Sequence, residues 1–263
     1  MGEFDNLIFK LSDGLARITL SNPPFNAINL GVARELREAS RRCAEARRLR
    51  AVLVTGSGKT FSVGGDLKAF AKEGSHLPQY LKKVTSNFHA AIDRFTRLSV
   101  PVITAVNGLA AGGGFSLACI GDIVIAAESA SFVMSYTHVG LTPDGGSTFI
   151  LPRLVGLRRA QELVFLNRKV TATEALQWGL ITSVVPDIEF SKTIAMLSDS
   201  LSHGPTMALG VTKRLFAKGL KRQSLKKHMM LESLAMSRVA AGEDGREGIC
   251  AFLQKRRPVF QGR

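Results

Sequence analysis

Two periodicities divide the chain. Residues 6–9 and 15–20 alternate apolar and polar side chains on either side of Asp13-Gly14, the pattern of a hairpin. Residues 51–55, 102–106 and 123–126 are instead short continuous apolar runs, which predict strands buried on both faces. Between them lie stretches with apolar positions three and four apart. Residues 30–46 predict a helix with Arg and Glu on its outer face, residues 77–98 a second that stops before Pro101, and residues 115–121 a third. Strand, turn and helix repeating in this way predict an α/β fold. From Phe190 onward only the helical period remains. The chain is therefore expected to divide into a core over residues 1–190 and a helical region over residues 191–263.

The 263 residues are 45% hydrophobic and 21% charged, enough for a well-buried core and too apolar for a disordered chain. No stretch reaches the roughly 20 consecutive apolar residues of a membrane helix. The most apolar segment, residues 100–120, is interrupted by Asn107, Gly108 and a glycine triplet. The first ten residues resemble neither a secretory signal nor an Arg-rich transit peptide. Cys43, Cys119 and Cys250 are too few and scattered for a disulfide framework or a metal site. A cytoplasmic, metal-free protein is expected. Lys and Arg number 35 against 21 Asp and Glu, a net charge of +14 gathered largely in residues 34–50 and 213–227. That excess attracts polyanions, whether nucleic acid, an anionic membrane or a phosphorylated cofactor. Nucleic-acid readers interleave aromatics with such charges. Here there are one Trp and two Tyr, and solvated helix faces explain the basic residues better.

Two glycine-rich turns follow buried strands. The first is Phe61-Ser62-Val63-Gly64-Gly65-Asp66-Leu67-Lys68; the second, Asn107-Gly108-Leu109-Ala110-Ala111-Gly112-Gly113-Gly114, opens into a helix. Glycine permits close backbone approach, and free N–H groups at a helix start favour a negative oxygen. Side by side, the two would form an oxyanion hole of backbone donors. Neither ends in the Gly-Lys-Ser/Thr of a phosphate-binding P-loop.

These residues carry a resemblance. The first turn is similar to the F-C-A-G-A-D-L-K motif of the crotonase (enoyl-CoA hydratase/isomerase) superfamily, and the second to its N-G-x-A-x-G-G-G. Asn26-Ala27-Ile28-Asn29, Gly140-Leu141-Thr142-Pro143-Asp144-Gly145-Gly146, Leu151-Pro152-Arg153 and Ala251-Phe252-Leu253-Gln254-Lys255-Arg256 match further family segments, in order and nearly end to end. The resemblance implies a spiral of ββα units with a helical C-terminal trimerisation region, assembled as a homotrimer or hexamer. It implies a coenzyme A thioester as substrate and no permanently bound cofactor. The N–H groups of Gly65 and Gly113 would form the oxyanion hole, and carbonyls around Ser62 and Gly64 would receive the adenine amino group. Lys68 and Lys255 would reach phosphates or nucleotide, and Phe252 would pack on the nucleotide, often that of a neighbouring subunit.

Departures from the hydratase pattern bear on the chemistry. Where a hydratase of this family carries two glutamates, this chain has Ser116 and Tyr136. Hydration needs one group to activate water and another to deliver the α-proton. The remaining carboxylate is Asp144, in a Pro-Asp-Gly segment that also suits an ordinary turn. Its position resembles the single catalytic carboxylate of some enoyl-CoA isomerases, including those acting on ring-derived phenylacetyl-CoA intermediates, and the nucleophile of chlorobenzoyl-CoA dehalogenase. His89 matches the dehalogenase histidine that activates water, although Tyr136 replaces that enzyme's tryptophan. His138 and His203 have no motif support. The expected function is enoyl-CoA isomerisation by α-proton abstraction at Asp144. The alternatives are a hydratase, a dehalogenase or hydrolase using Asp144 and His89, and a non-catalytic binder of acyl-CoA or RNA.

Overall fold

A computed structural model describes residues 4–221 and 224–263. Residues 1–3, in the N-terminal stretch, and 222–223, in the second basic segment, lie outside the described residues. The hairpin forms where the alternation places it. β1 (Leu7–Ser12) and β2 (Leu15–Leu20) pair antiparallel through Asp13 and Gly14, both at positive φ. α1 (Leu30–Glu45) follows, N-capped by Asn29.

Three strand pairs come next, each a longer strand followed by one of three residues. They are β3 (Ala51–Gly56) with β4 (Thr60–Ser62), β5 (Val102–Val106) with β6 (Leu109–Ala111), and β7 (Ile123–Ala127) with β8 (Ser131–Val133). β9 (Val170–Thr171) and β10 (Ser183–Val185) complete the strands. The first member of each pair joins a large sheet, β1-β2-β3-β5-β7-β10, parallel except at the hairpin. The second joins a small sheet, β4-β6-β8-β9, parallel except at β8–β9. Helices close the turns of this spiral: α2 (Leu67–Lys72) and α3 (Leu77–Arg97), α4 (Gly113–Ala118), α5 (Ser147–Val155) and α6 (Leu157–Leu166), and α7 (Ala172–Gln177). This is the expected α/β spiral of ββα units. The third predicted helix, however, starts at Gly113 and ends at Ala118, because burial of all six residues outweighs the poor helix propensity of glycine.

The continuous apolar strands are buried on both faces. Val52 and Val54 enter the main core with α1 and α3, while Leu53, Ile103 and Ile125 meet Ile194 of α8 (Asp187–Ser202) on the other side. Each such side chain contributes about 1.5–3 kcal/mol. The expected boundary between residues 190 and 191 falls inside α8. Beyond it come α9 (Thr206–Gly219), α10 (Leu225–Ala240) and α11 (Glu243–Leu253). α9 is fastened to the core by Lys213, whose ammonium lies 2.6 Å from the Asp122 carboxylate. The last residues return to the core as well, with Arg50 donating to the Phe260 and Gly204 carbonyls and Asp244 accepting from the Gln261 and Gly262 amides. α10 buries none of its residues.

Within the first basic segment, Arg41 and Arg42 pair with Glu38, holding its carboxyl at about 2. Cys43 and Cys119 are buried, which pushes both thiols up to about 12. Among the described residues no helix is long and apolar enough to cross a membrane.

Candidate active site

β4, β6 and β8 lie side by side and parallel, so their C-terminal ends open at one edge. That edge receives Val63-Gly64-Gly65 from β4, Gly112-Gly113-Gly114 from β6 and Met134-Ser135-Tyr136 from β8. Beside it lies a cavity of about 590 Å³, lined by Gly65, Gly113, Tyr136 and Asp144 and walled chiefly by apolar groups such as Ile28, Phe70, Val84, Phe88 and Leu141. Its size and character suit an organic ligand.

Glycine is required where the turns touch. Gly64 has φ +83°, and a Cβ there would stand 2.6 Å from the Ala111 carbonyl oxygen and 2.8 Å from the Gly113 nitrogen. The neighbouring Gly64 carbonyl and Asp66 N–H both bond Ile28, at 2.6 and 3.1 Å. This bridge turns the intervening Gly65 N–H away from Ile28. Gly113 opens α4, where N–H groups have no intrahelical partner. Among the described residues neither amide has a protein acceptor.

Asp144 precedes Gly145 and Gly146, both at positive φ, and α5 starts immediately after them. Its carboxylate is 22% exposed, and Oδ1 accepts a hydrogen bond from Tyr136 Oη. Ser116, fully buried, places Oγ 3.0 Å from the Asp144 carbonyl and 3.1 Å from Tyr136 Oη. The two positions where hydratases of the family carry glutamate therefore meet at Asp144. Burial, and then the Asp144 charge, raise the Tyr136 phenol well above its ordinary range, so it is a proton donor throughout neutral pH. His89, half exposed, accepts the Gly145 N–H on Nε2 at 3.1 Å, and the same nitrogen lies 3.5 Å from Asp144 Oδ2.

The remaining sequence candidates lie away from the cavity wall. Ser62 is fully buried, its hydroxyl donating to the Asn26 carbonyl and accepting the Gly64 N–H. Val63 between them lines the cavity, and the Gly64 carbonyl accepts from the Ile28 N–H. Lys68 stands exposed at the start of α2. Phe252 is 82% exposed on α11, and Lys255 follows it at φ 54°. His138, which no motif marked, lines the cavity, as does Lys82. Asn26 proves structural: its amide nitrogen bonds the Ser57, Thr60 and Phe61 carbonyls and fastens the first turn.

Comparison with known proteins identifies the family of the chain and its fold. Residues 10–263 match the Enoyl-CoA hydratase/isomerase family. A Rhodobacter capsulatus protein named "Probable enoyl-CoA hydratase" is 38% identical over 262 residues, 99% of each chain. The 1,2-epoxyphenylacetyl-CoA isomerase of Escherichia coli is 35% identical over 259 residues, 98% of each chain. Among solved structures, an enoyl-CoA hydratase from a Polaromonas species superposes with a TM-score of 0.90 at 32% identity, covering 97% of this chain and 99% of its own.

Proposed function

Because the chain belongs to the enoyl-CoA hydratase/isomerase family, we propose that it is an enoyl-CoA isomerase with Asp144 as its proton carrier. The observation that carries this reading is that Asp144 is the one carboxylate among the described residues lining the cavity. The Gly65 and Gly113 N–H groups bind the thioester oxygen, each donor contributing about 3 kcal/mol as charge develops there. Asp144 removes the α-proton, and the C–H electron pair passes into a dienolate spread over the α to γ carbons. The same carboxyl returns the proton at the γ-carbon, leaving the double bond conjugated with the thioester. One carboxylate suffices because the proton is moved and not consumed.

Hydration needs a second group, and Tyr136, held protonated and committed to Asp144, is poorly placed to activate water. The hydrolytic alternative requires a free lone pair on His89 Nε2, which the Gly145 N–H occupies. Conversion of a β,γ-enoyl-CoA to its α,β isomer, followed by the rise in absorbance of the conjugated thioester, tests the proposal. No rise with any chain length would refute it.

Assembly belongs to the same proposal. Phe216, Leu220, Leu225, Leu234 and Met236 of the C-terminal helices are 69–75% exposed, with further copies of the chain as the intended cover. Phe252 and Lys255 would then serve a neighbouring subunit's nucleotide, alongside Lys68. Sedimentation at micromolar concentration is expected to give a trimer or hexamer; a stable monomer would refute the assembly.

A further inference from the structure

Asp144 is held at three points by residues outside its own turn. Tyr136 Oη donates to one carboxylate oxygen, Oδ1. Ser116 Oγ lies 3.0 Å from the Asp144 carbonyl, and at the other edge of the same peptide the Gly145 N–H donates to His89 Nε2 at 3.1 Å. Gly145 is also confined sterically, since a Cβ there would sit 2.7 Å from Ser116 Cβ and 2.8 Å from the Phe88 ring. We infer that Ser116, Tyr136 and His89 are positioning residues that clamp the Asp144–Gly145 peptide and cap Oδ1, leaving Oδ2 to carry the proton. The inference rests on the isomerase reading and adds to it which oxygen reacts and what holds it.

Counting protons supports the assignment. An ionised carboxylate only accepts, so the Tyr136 proton lies on the bond to Asp144. Tyr136 Oη is then available as an acceptor toward Ser116, whose single proton is shared among the Asp144 carbonyl at 3.0 Å, Tyr136 Oη at 3.1 Å and the Gly112 carbonyl at 3.4 Å. Neither hydroxyl has a proton left for a second reacting atom. His89 Nε2 accepts from Gly145, which puts the ring proton on Nδ1. Oδ2 lies 3.5 Å from Nε2, which in this tautomer has no proton to give it, so Oδ2 is left free to react. A carrier that must pick up a proton at one carbon and release it two carbons away gains from a fixed orientation. Tyr136 holds Oδ1 in the charged base and, more weakly, in the neutral acid, so the proton returns from the same oxygen.

Tyr136→Phe keeps the ring and removes the donor. It is expected to lower kcat about tenfold to a hundredfold with KM changed by less than about threefold, since uniform binding is untouched. His89→Leu should lower kcat about tenfold, and His89→Gln, whose side-chain oxygen can accept the Gly145 N–H, should recover most of that loss. A histidine acting as base would be lost equally in both variants. An unchanged kcat in Tyr136→Phe, or a His89→Gln as slow as His89→Leu, overturns the inference. If Tyr136→Phe fails to fold, the His89 pair decides alone. Run alongside, an inactive Asp144→Asn with an unaffected Tyr136→Phe defeats the clamp only, whereas an active Asp144→Asn defeats the isomerase reading itself.

Discussion

Asp144→Asn abolishes double-bond migration, lowering kcat about a hundred- to ten-thousandfold while acyl-CoA binding stays within a few-fold. The amide has nearly the shape of the carboxylate and can still accept from Tyr136, so the turn before α5 keeps its hydrogen bonds. What it lacks is proton affinity. No neighbour replaces it: the Tyr136 phenol is held protonated by burial and the adjacent charge, and the His89 Nε2 lone pair is engaged by Gly145. Binding is carried instead by the backbone donors and the apolar wall of the cavity. Single-turnover rates, with calorimetric titration of a saturated acyl-CoA, separate the two effects. A variant retaining more than about a tenth of the rate would move the base elsewhere.

Gly64→Ala should be nearly as damaging, for a different reason. Its φ of +83° costs a non-glycine residue about 1–2 kcal/mol. The new methyl would also press on the Ala111 carbonyl at 2.6 Å and the Gly113 nitrogen at 2.8 Å, both backbone atoms that cannot swing aside. The two turns must separate, and with them the pair of N–H groups. Loss of one such donor lowers kcat about a hundred- to a thousandfold. Gly65→Ala is expected to cost less, because its methyl meets only the Phe70 ring, a side chain able to move. Circular-dichroism melting curves recorded with the kinetics would identify a general unfolding. Equal losses in the two variants, or none in Gly64→Ala, would mean that contact between the turns does not set the rate.

The legible parts of the fold were those with a period long enough to read. The alternation of residues 15–20 and the apolar runs of β3, β5 and β7 announce the large sheet, and the 3.6-residue pattern announces α1 and α3. The small sheet was not legible, because β4, β6 and β8 have three residues each and β9 two, too few to display alternation. Yet that sheet is what brings the glycine turns together, so the sequence could mark both turns while only resemblance put them side by side. Asp144 and His89 were visible as motif positions. The part played by Ser116 and Tyr136 was not: in sequence they register only as missing glutamates, 28 and 8 residues from Asp144, and the network appears when the chain folds.

The most direct measurement of the central claim is the mass and absorbance of the products formed from matched β,γ- and α,β-enoyl-CoA thioesters. Proton transfer by a single carboxylate predicts that the β,γ substrate yields a conjugated product of unchanged mass, and that the α,β substrate gains no water. Rapid formation of a product heavier by one water from the α,β substrate, with no migration of the β,γ double bond, would contradict it.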